Sequence, residues 1–221
     1  MPLRKVLLTT NEFYHVLNRG VASLPIFRNV SDYKRFLSLI DYYRFSDANL
    51  SYSKFADFSS EERIKFKNKN LNNPQVEILS YCLMQNHFHF LLQQVKDNGI
   101  LKFMSSLQNA YSKYFNIKTD RNGPLSQGRF KAIWIENEEI LLHISRYIHL
   151  NPSTSYLVNS ENLTSYKWFS LPEYIGGVQS LFINTGLILN TAGGIKNYKK
   201  FVFDQLDYQR KLDSIKHLFL E

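Results

Sequence analysis

Residues 76–94 place the strongest limit on the fold. Val76 to Met84 is a nearly unbroken apolar run of strand length, and only Gln85-Asn86 separates it from a second run, His87 to Gln94, rich in aromatic and aliphatic residues. So short a link turns one strand directly into its neighbour, so the two pair antiparallel as a hairpin. The first run, apolar at almost every position, reads as a central strand covered on at least one face.

The flanking sequence extends this pattern. Phe13 to Asn18 alternates and ends at Arg19-Gly20, a first strand and turn, with Pro25-Ile26-Phe27 as a short extension. From Val30, with Ser31 as the cap, apolar residues recur at helical spacing to about Ser46. Residues 49–74 turn polar and basic and read as an exposed insertion with one short helix and no catalytic role. Leu101, Met104, Leu107, Ala110, Tyr111, Tyr114 and Phe115 predict a helix that stops at Asp120-Arg121-Asn122-Gly123-Pro124, after which Arg129 to Ile135 alternates as a strand. Asn137 can cap a further helix, with Glu138 and Glu139 at its positive end and Asn151-Pro152 as its stop. The order strand, helix, hairpin, helix, strand, helix implies an α+β main domain over residues 1–152, a small antiparallel sheet covered by helices. Residues 153–221 form a helical C-terminal extension, with a short helix at Ser165-Tyr166-Lys167-Trp168, a break at Gly176-Gly177 and a basic amphipathic helix from about Lys196.

Charge narrows the class of partner. Twenty-seven Lys and Arg against 19 Asp and Glu give +8, which favours a polyanion. No apolar run reaches the roughly 18 residues of a membrane span, and Val6-Leu7-Leu8 is too short for a signal-peptide core, so the expected compartment is the cytoplasm and no membrane partner is expected. A single cysteine, Cys82, excludes an intramolecular disulfide and a cysteine-cluster metal site.

Two pairs of residues carry chemistry. His87 and His89 are two apart on a strand, so both imidazoles project from one face and can grip one cation. Tyr147 and Asn151, four apart, share one helix face and flank Ile140, Ile144 and Ile148, a stripe expected to pack on the sheet and bring them near the histidines. The amide of Asn151 is a reasonable third ligand for Mg or Mn, and two imidazoles with one amide leave room for a phosphate oxygen.

In order along the chain, Tyr14-His15-Val16 with Asn18-Arg19-Gly20, Tyr81 to Leu92, Gln127-Gly128-Arg129-Phe130, Arg146-Tyr147-Ile148-His149-Leu150-Asn151-Pro152, Tyr166-Lys167-Trp168 and Tyr198-Lys199-Lys200-Phe201-Val202 resemble the motifs of the single-tyrosine HUH (IS200-like) transposases, in particular the REP-associated tyrosine transposases. The resemblance covers roughly residues 12–202 apart from the insertion. It implies a ferredoxin-like antiparallel sheet, a divalent metal held by His87, His89 and Asn151, and Tyr147 as nucleophile. The product is a 5′-phosphotyrosine with a free 3′-hydroxyl, from which the strand is rejoined. The implied partner is single-stranded, hairpin-containing DNA. Many relatives carry Gln four after the tyrosine, and the shorter Asn151 makes its ligation a weaker inference than that of the histidines.

A free tyrosine of pKa about 10 is only about a thousandth ionised at pH 7, a cost near 4 kcal/mol that metal and neighbours must offset. Arg19, Arg129 and Lys131 border the matching motifs and are the expected phosphate contacts, Arg129 and Lys131 sharing a strand face. His143, one turn before Tyr147, reads as a surface histidine ahead of an acceptor for the phenolic proton, and His15 reads equally as a packed or edge histidine and as a DNA contact. Two other readings stand beside this one: a non-catalytic module that binds single-stranded or hairpin nucleic acid, and a metal phosphoesterase in which water attacks. A monomer is the expected state.

Overall fold

A computed structural model describes residues 6–48, 50–176 and 182–204. Its elements run β1 (Phe13–Arg19), α1 (Val30–Tyr43), α2 (Tyr52–Ala56), α3 (Ser60–Asn70), β2 (Val76–Met84), β3 (His87–Gln94), α4 (Gly99–Thr119), β4 (Lys131–Ile135), α5 (Glu138–Thr154), α6 (Leu171–Tyr174), α7 (Gly186–Ala192) and α8 (Ile195–Phe203). The strands form one antiparallel four-stranded sheet in the order β2-β3-β1-β4, so the α+β, ferredoxin-like expectation holds. The described residues gather into two compact units. One takes the chain up to Glu77 with Gln85–His87 and Leu92–Trp134, and the other takes Ile78–Met84, Phe88–Leu91 and the chain from Ile135 onward. No helix among the described residues is long and apolar enough to cross a membrane.

In the first unit, helix α1 starts one turn of logic earlier than Ser31. Asn29 accepts from the backbone N–H of Asp32, and the Asp32 carboxylate accepts from the N–H of Asn29 at 3.2 Å, a reciprocal box that Ser31 cannot form because Lys34 lies three residues on. The helix also ends at Tyr43, short of Ser46, because Phe45 bridges Pro74 and the Ser46 N–H bonds the Asn73 carbonyl at 2.8 Å.

The segment expected to be an exposed insertion holds two helices and a small core of its own. Ser51 caps α2, and Ser59 with Glu62 forms a capping box on α3. Phe55 and Leu71 bury themselves against Tyr42, with Phe58 and Phe66 around them, and the Tyr42 and Phe55 rings stack at 4.7 Å. The aromatic residues that build this cluster are spread among charged ones, which hid the pattern.

In the second unit the structure corrects the place of β2. It is an edge strand, not a central one, yet nearly all of it is buried. The tail supplies the cover: Cys82 bridges Phe169, the Leu83 N–H bonds the Trp168 carbonyl at 2.8 Å, and Ile78 bridges Ile183. An apolar edge strand left open would template aggregation, so this backbone pairing does the work a neighbouring strand would do. It also explains why Tyr166, Lys167 and Trp168 are extended rather than helical: they follow a 3-10 turn, Ser160–Ser165, and run along β2. Of the predicted C-terminal helix, Ile195–Phe203 is α8, while residues 205–221 and Gly177 lie outside the described residues.

Helix α5 is held by a buried polar node. His149, fully buried, bonds Tyr198 Oη through Nδ1 at 2.7 Å and Ser170 Oγ through Nε2 at 2.9 Å. Ser145, one turn earlier, also meets Tyr198 Oη at 2.9 Å, and Ser170 Oγ accepts from the Tyr81 N–H at 2.9 Å. Burial lowers the His149 pKa to about 3, and in the first unit it lowers that of His15 to about 4, so both imidazoles are neutral at ordinary pH.

Two outcomes follow from this packing. Phe55→Ala removes the centre of the α2–α3 cluster and should cost about 3 kcal/mol in urea unfolding. The unfolded chain protonates its histidines near pH 6.5, whereas the folded chain resists until about pH 3 at His149 and about pH 4 at His15, so stability should fall as pH drops below 6.5. At pH 5 the loss is about 2 kcal/mol for each histidine. Urea midpoints measured from pH 7 to pH 5 should show this slope, and His149→Leu should remove about half of it.

Candidate functional site

The histidine pair sits at the start of β3, and a set of backbone bonds pins the turn before it. The Gly20 N–H bonds the Asn86 carbonyl at 2.8 Å, and the N–H groups of Ile26 and Phe27 share the Gln85 carbonyl at 2.9 and 3.0 Å. Gly20 has to be glycine, since a Cβ there would stand 2.2 Å from the Leu24 carbonyl oxygen. The Gln127-Gly128 segment runs beside the same strand end: the Gln127 N–H bonds the Arg19 carbonyl at 2.8 Å, and the Asn18 amide donates to the Gly128 carbonyl at 3.2 Å. The sequence motifs at 18–20 and 127–128 therefore meet, and Gly20 braces the Gln85-Asn86 turn.

Asn86, read from the sequence only as a turn residue, bonds the first histidine of the pair. Its Oδ1 lies 2.6 Å from His87 Nδ1, so that nitrogen carries the proton and donates. The amide of Asn86 in turn donates to the Ser23 carbonyl at 3.2 Å. Metal-binding histidines usually have such a partner on the second nitrogen. The signal was present in the sequence as an Asn directly before the first histidine.

On the same face of the strand, two residues on, His89 is 4% exposed, and its ring stands edge-on to that of Tyr147, centroids 5.7 Å apart and planes at 89°. The sequence expectation that brought Tyr147 toward the histidine strand is met at His89. The reason differs from the one anticipated. Ile140 is 38% exposed and Ile144 only half-buried, so the Ile140-Ile144-Ile148 stripe is not the seam. The buried face of α5 is Leu141, Ser145, Ile148, His149 and Pro152, a seam partly polar that apolar periodicity does not reveal. Asn137 caps the helix as expected, its Oδ1 accepting from the Ile140 N–H at 2.9 Å. Pro152 does not stop it: α5 continues to Thr154, and the Pro152 carbonyl then accepts from the Leu157 N–H at 3.0 Å.

Asn151 is 4% exposed and, among the described residues, its side chain makes no hydrogen bond, the condition of a donor that a ligand would satisfy. Among the described residues there is no group of three or more His, Cys, Asp or Glu that could hold a metal ion. Two imidazoles and a carboxamide oxygen suit a divalent cation that takes mixed nitrogen and oxygen donors. The residues present fit the group.

Arg19, Arg129 and Lys131 are all exposed. Strand β4 begins at Lys131, so Arg129 lies in the turn before it and the shared strand face does not extend to both. His143 Nδ1 accepts from the Arg146 guanidinium at 2.8 Å, which occupies that ring nitrogen. Arg146 also lies 4.0 Å over the Phe201 ring and donates to the Phe201 carbonyl, which ties this trailing aromatic to α5.

Comparison with known proteins gives two matches. Residues 52–151 match the family model described as "Transposase IS200 like", a span that opens inside the segment read as an insertion and closes at Asn151. No curated protein matches. A solved structure of a REP-associated tyrosine transposase bound to a REP hairpin superposes with a TM-score of 0.51 over 80% of this chain and 86% of that one, at 14% identity, a likeness of fold. The family match and the fold likeness agree with the ordered motifs: residues 52–151 match the IS200-like transposase model, and the chain has a fold like that of a REP-associated tyrosine transposase.

Proposed function

We propose that this protein is a DNA transposase that cuts and rejoins single-stranded DNA, with Tyr147 as nucleophile and with His87, His89 and Asn151 as donors to a divalent metal, Mg or Mn. The observation that carries the proposal is the edge-on approach of Tyr147 to His89 at 5.7 Å. A phenol held beside a metal-ready imidazole suits covalent catalysis and has no purpose in a phosphoesterase that activates water.

A bound divalent ion would supply Lewis-acid polarisation of a phosphate oxygen. The chain supplies the rest. The Tyr147 Oη attacks phosphorus, the Oη–P bond forms as the P–O3′ bond breaks, and the phenolic proton is balanced by the 3′-hydroxyl that leaves. The 5′-phosphate stays on Tyr147, so the bond energy is kept for rejoining and no external energy source is needed. The buried node at His149 fixes the rotation of α5 and with it the direction of Tyr147. Arg19, Arg129 and Lys131 contact backbone phosphates, and the DNA carries a hairpin, as in the complex of the similar transposase. Residues 1–152 act as the catalytic domain and 153–221 as its extension, in a monomeric cytoplasmic protein.

Incubated with labelled single-stranded DNA and Mn or Mg, the wild-type chain should form a covalent adduct on denaturing gels that chelator abolishes and Tyr147→Phe lacks. Cleavage that persists in Tyr147→Phe would make water the nucleophile, and binding without cleavage under any metal would leave a binding module. Asn86→Ala, which frees the His87 ring, should weaken metal affinity about 10–100-fold, so that adduct formation recovers at raised Mn. Adduct yield titrated against Mn is the measurement, and an unchanged midpoint would rule out that role.

A further inference from the structure

We infer that the groove between α1, α2 and α4 is a second nucleic-acid contact, which holds an unpaired nucleotide by stacking its base on tyrosine rings and its phosphate on Arg35 and Lys113. The identity of the polyanion as DNA rests on the function proposed above. The groove itself stands on separate observations.

Its volume of about 570 Å³ lies within the usual range for ligand sites, about 300–1,000 Å³. Three tyrosines line it, Tyr43, Tyr52 and Tyr114, with three cations, Arg35, Lys113 and Lys118, and no carboxylate belongs to the lining. Lys118 is already paired with buried Asp32 at 2.5 Å. Arg35 and Lys113 form no ion pair among the described residues, so their charge is available to an anion.

The aromatic part is built in advance. The Arg35 guanidinium lies 5.1 Å from the Tyr52 ring centre and 4.9 Å from that of Tyr114, held between two phenol rings. Stacking uses the faces of the guanidinium and leaves its in-plane N–H groups for phosphate oxygens. Tyr43 Oη accepts from the Tyr52 N–H at 3.2 Å, and Tyr114 Oη donates to Asp32 at 3.1 Å, so the rings are fixed by bonds at their hydroxyl ends, and since Arg35 covers one face of Tyr52 and of Tyr114, a base would stack on the opposite face of Tyr52. Ile117, 73% exposed at the rim, adds apolar surface. Rings with adjacent uncompensated cations match a base joined to its phosphate, and only an unpaired base offers a free face. The site also gives a role to the segment after residue 49, which contributes Ser51, Tyr52 and Ser53 to the lining.

The test uses the full chain in chelator, so that nothing is cleaved, and measures anisotropy of a labelled oligo-dT 20-mer over a range of salt. Arg35→Gln with Lys113→Gln should weaken binding about tenfold or more and lower the slope of log K against log salt by about 1.4, about 0.7 for each contact to a single strand. Tyr52→Leu, which keeps the packing and removes the ring, should weaken binding about tenfold with the slope unchanged, and a blunt duplex should be affected less than twofold by Tyr52→Leu. Lys113 is exposed, so Lys113→Gln alone guards against misfolding and should still lower the slope by about 0.7. Binding equal to wild type in all these variants overturns the inference, and so does a wild type that binds no DNA. If the variants lose binding while the wild type forms no phosphotyrosine adduct, the groove stands and the catalytic reading falls. If the adduct forms and binding is unaltered, the groove alone falls. A concentration-dependent dimer in sedimentation that Ile117→Ser abolishes would give the groove to a second copy and overturn it.

Discussion

One buried imidazole sets the geometry of the second unit. His149 is satisfied at both nitrogens, by Tyr198 and by Ser170, and burial keeps it neutral. Each bond is modest in net terms, about 1 kcal/mol, but a buried polar group left unpaired costs about 1–3 kcal/mol, so the node tolerates one arrangement of α5 and penalises the others. His149 lies two residues after Tyr147, close to half a turn round the helix. Fixing the imidazole in the interior therefore turns Tyr147 and Asn151 the other way. A purely apolar seam would hold the helix but would let it rotate or slide at smaller cost.

The same serine that anchors His149 also closes the sheet edge. Ser170 Oγ meets the Tyr81 N–H, and its own N–H bonds the Tyr81 carbonyl at 3.1 Å, while Tyr174 Oη donates to the Leu79 carbonyl at 2.6 Å. Strand β2 is thus paired on its outer side by chain that lies ninety residues downstream. The tail completes both the edge strand and the seat of α5. The Tyr166-Lys167-Trp168 and Tyr198-Phe201 motifs are explained in these terms: Tyr166 bonds the Leu83 carbonyl, Tyr198 the node, and Phe201 the Arg146 guanidinium.

What the sequence disclosed depended on whether a residue's partner was near it. The 76–94 hairpin, the α4 periodicity and the Asn137 cap are local, and each was readable from spacing alone. Edge or centre for β2 depended on Phe169 and Ile183, and no pattern within Val76–Met84 contains them. The seam of α5 runs through Ser145 and His149, polar residues that a hydrophobic period discards, so attention fell on Ile140 and its stripe instead. The α2–α3 cluster was missed for a third reason: its aromatic residues alternate with lysines, and two short helices of low apolar content bury little until Tyr42 joins them. The spacing of His89 and Tyr147 pointed to their approach, while Asn86, which bonds His87 Nδ1, was read only as a turn.

The first unit reaches its precision by a different route. There the turn before His87 is held by main-chain bonds from Gly20, Ile26 and Phe27, and the loop between them carries Ala22 and Ser23 at positive φ, a conformation that costs each of them about 1 kcal/mol or more. Such strain persists only where neighbours over-determine it. Here the Asn86 amide bonds the Ser23 carbonyl while its oxygen takes the His87 proton, so one side chain restrains the strained loop and orients the imidazole together. Because the brace is made of backbone, most side chains in it are free to change, and the positions that are not are those where an added atom meets a carbonyl, as at Gly20. That is the physical content of the Asn-Arg-Gly motif: the asparagine ties the neighbouring strand, the arginine is left exposed for charge, and the glycine exists so that the chain can pass.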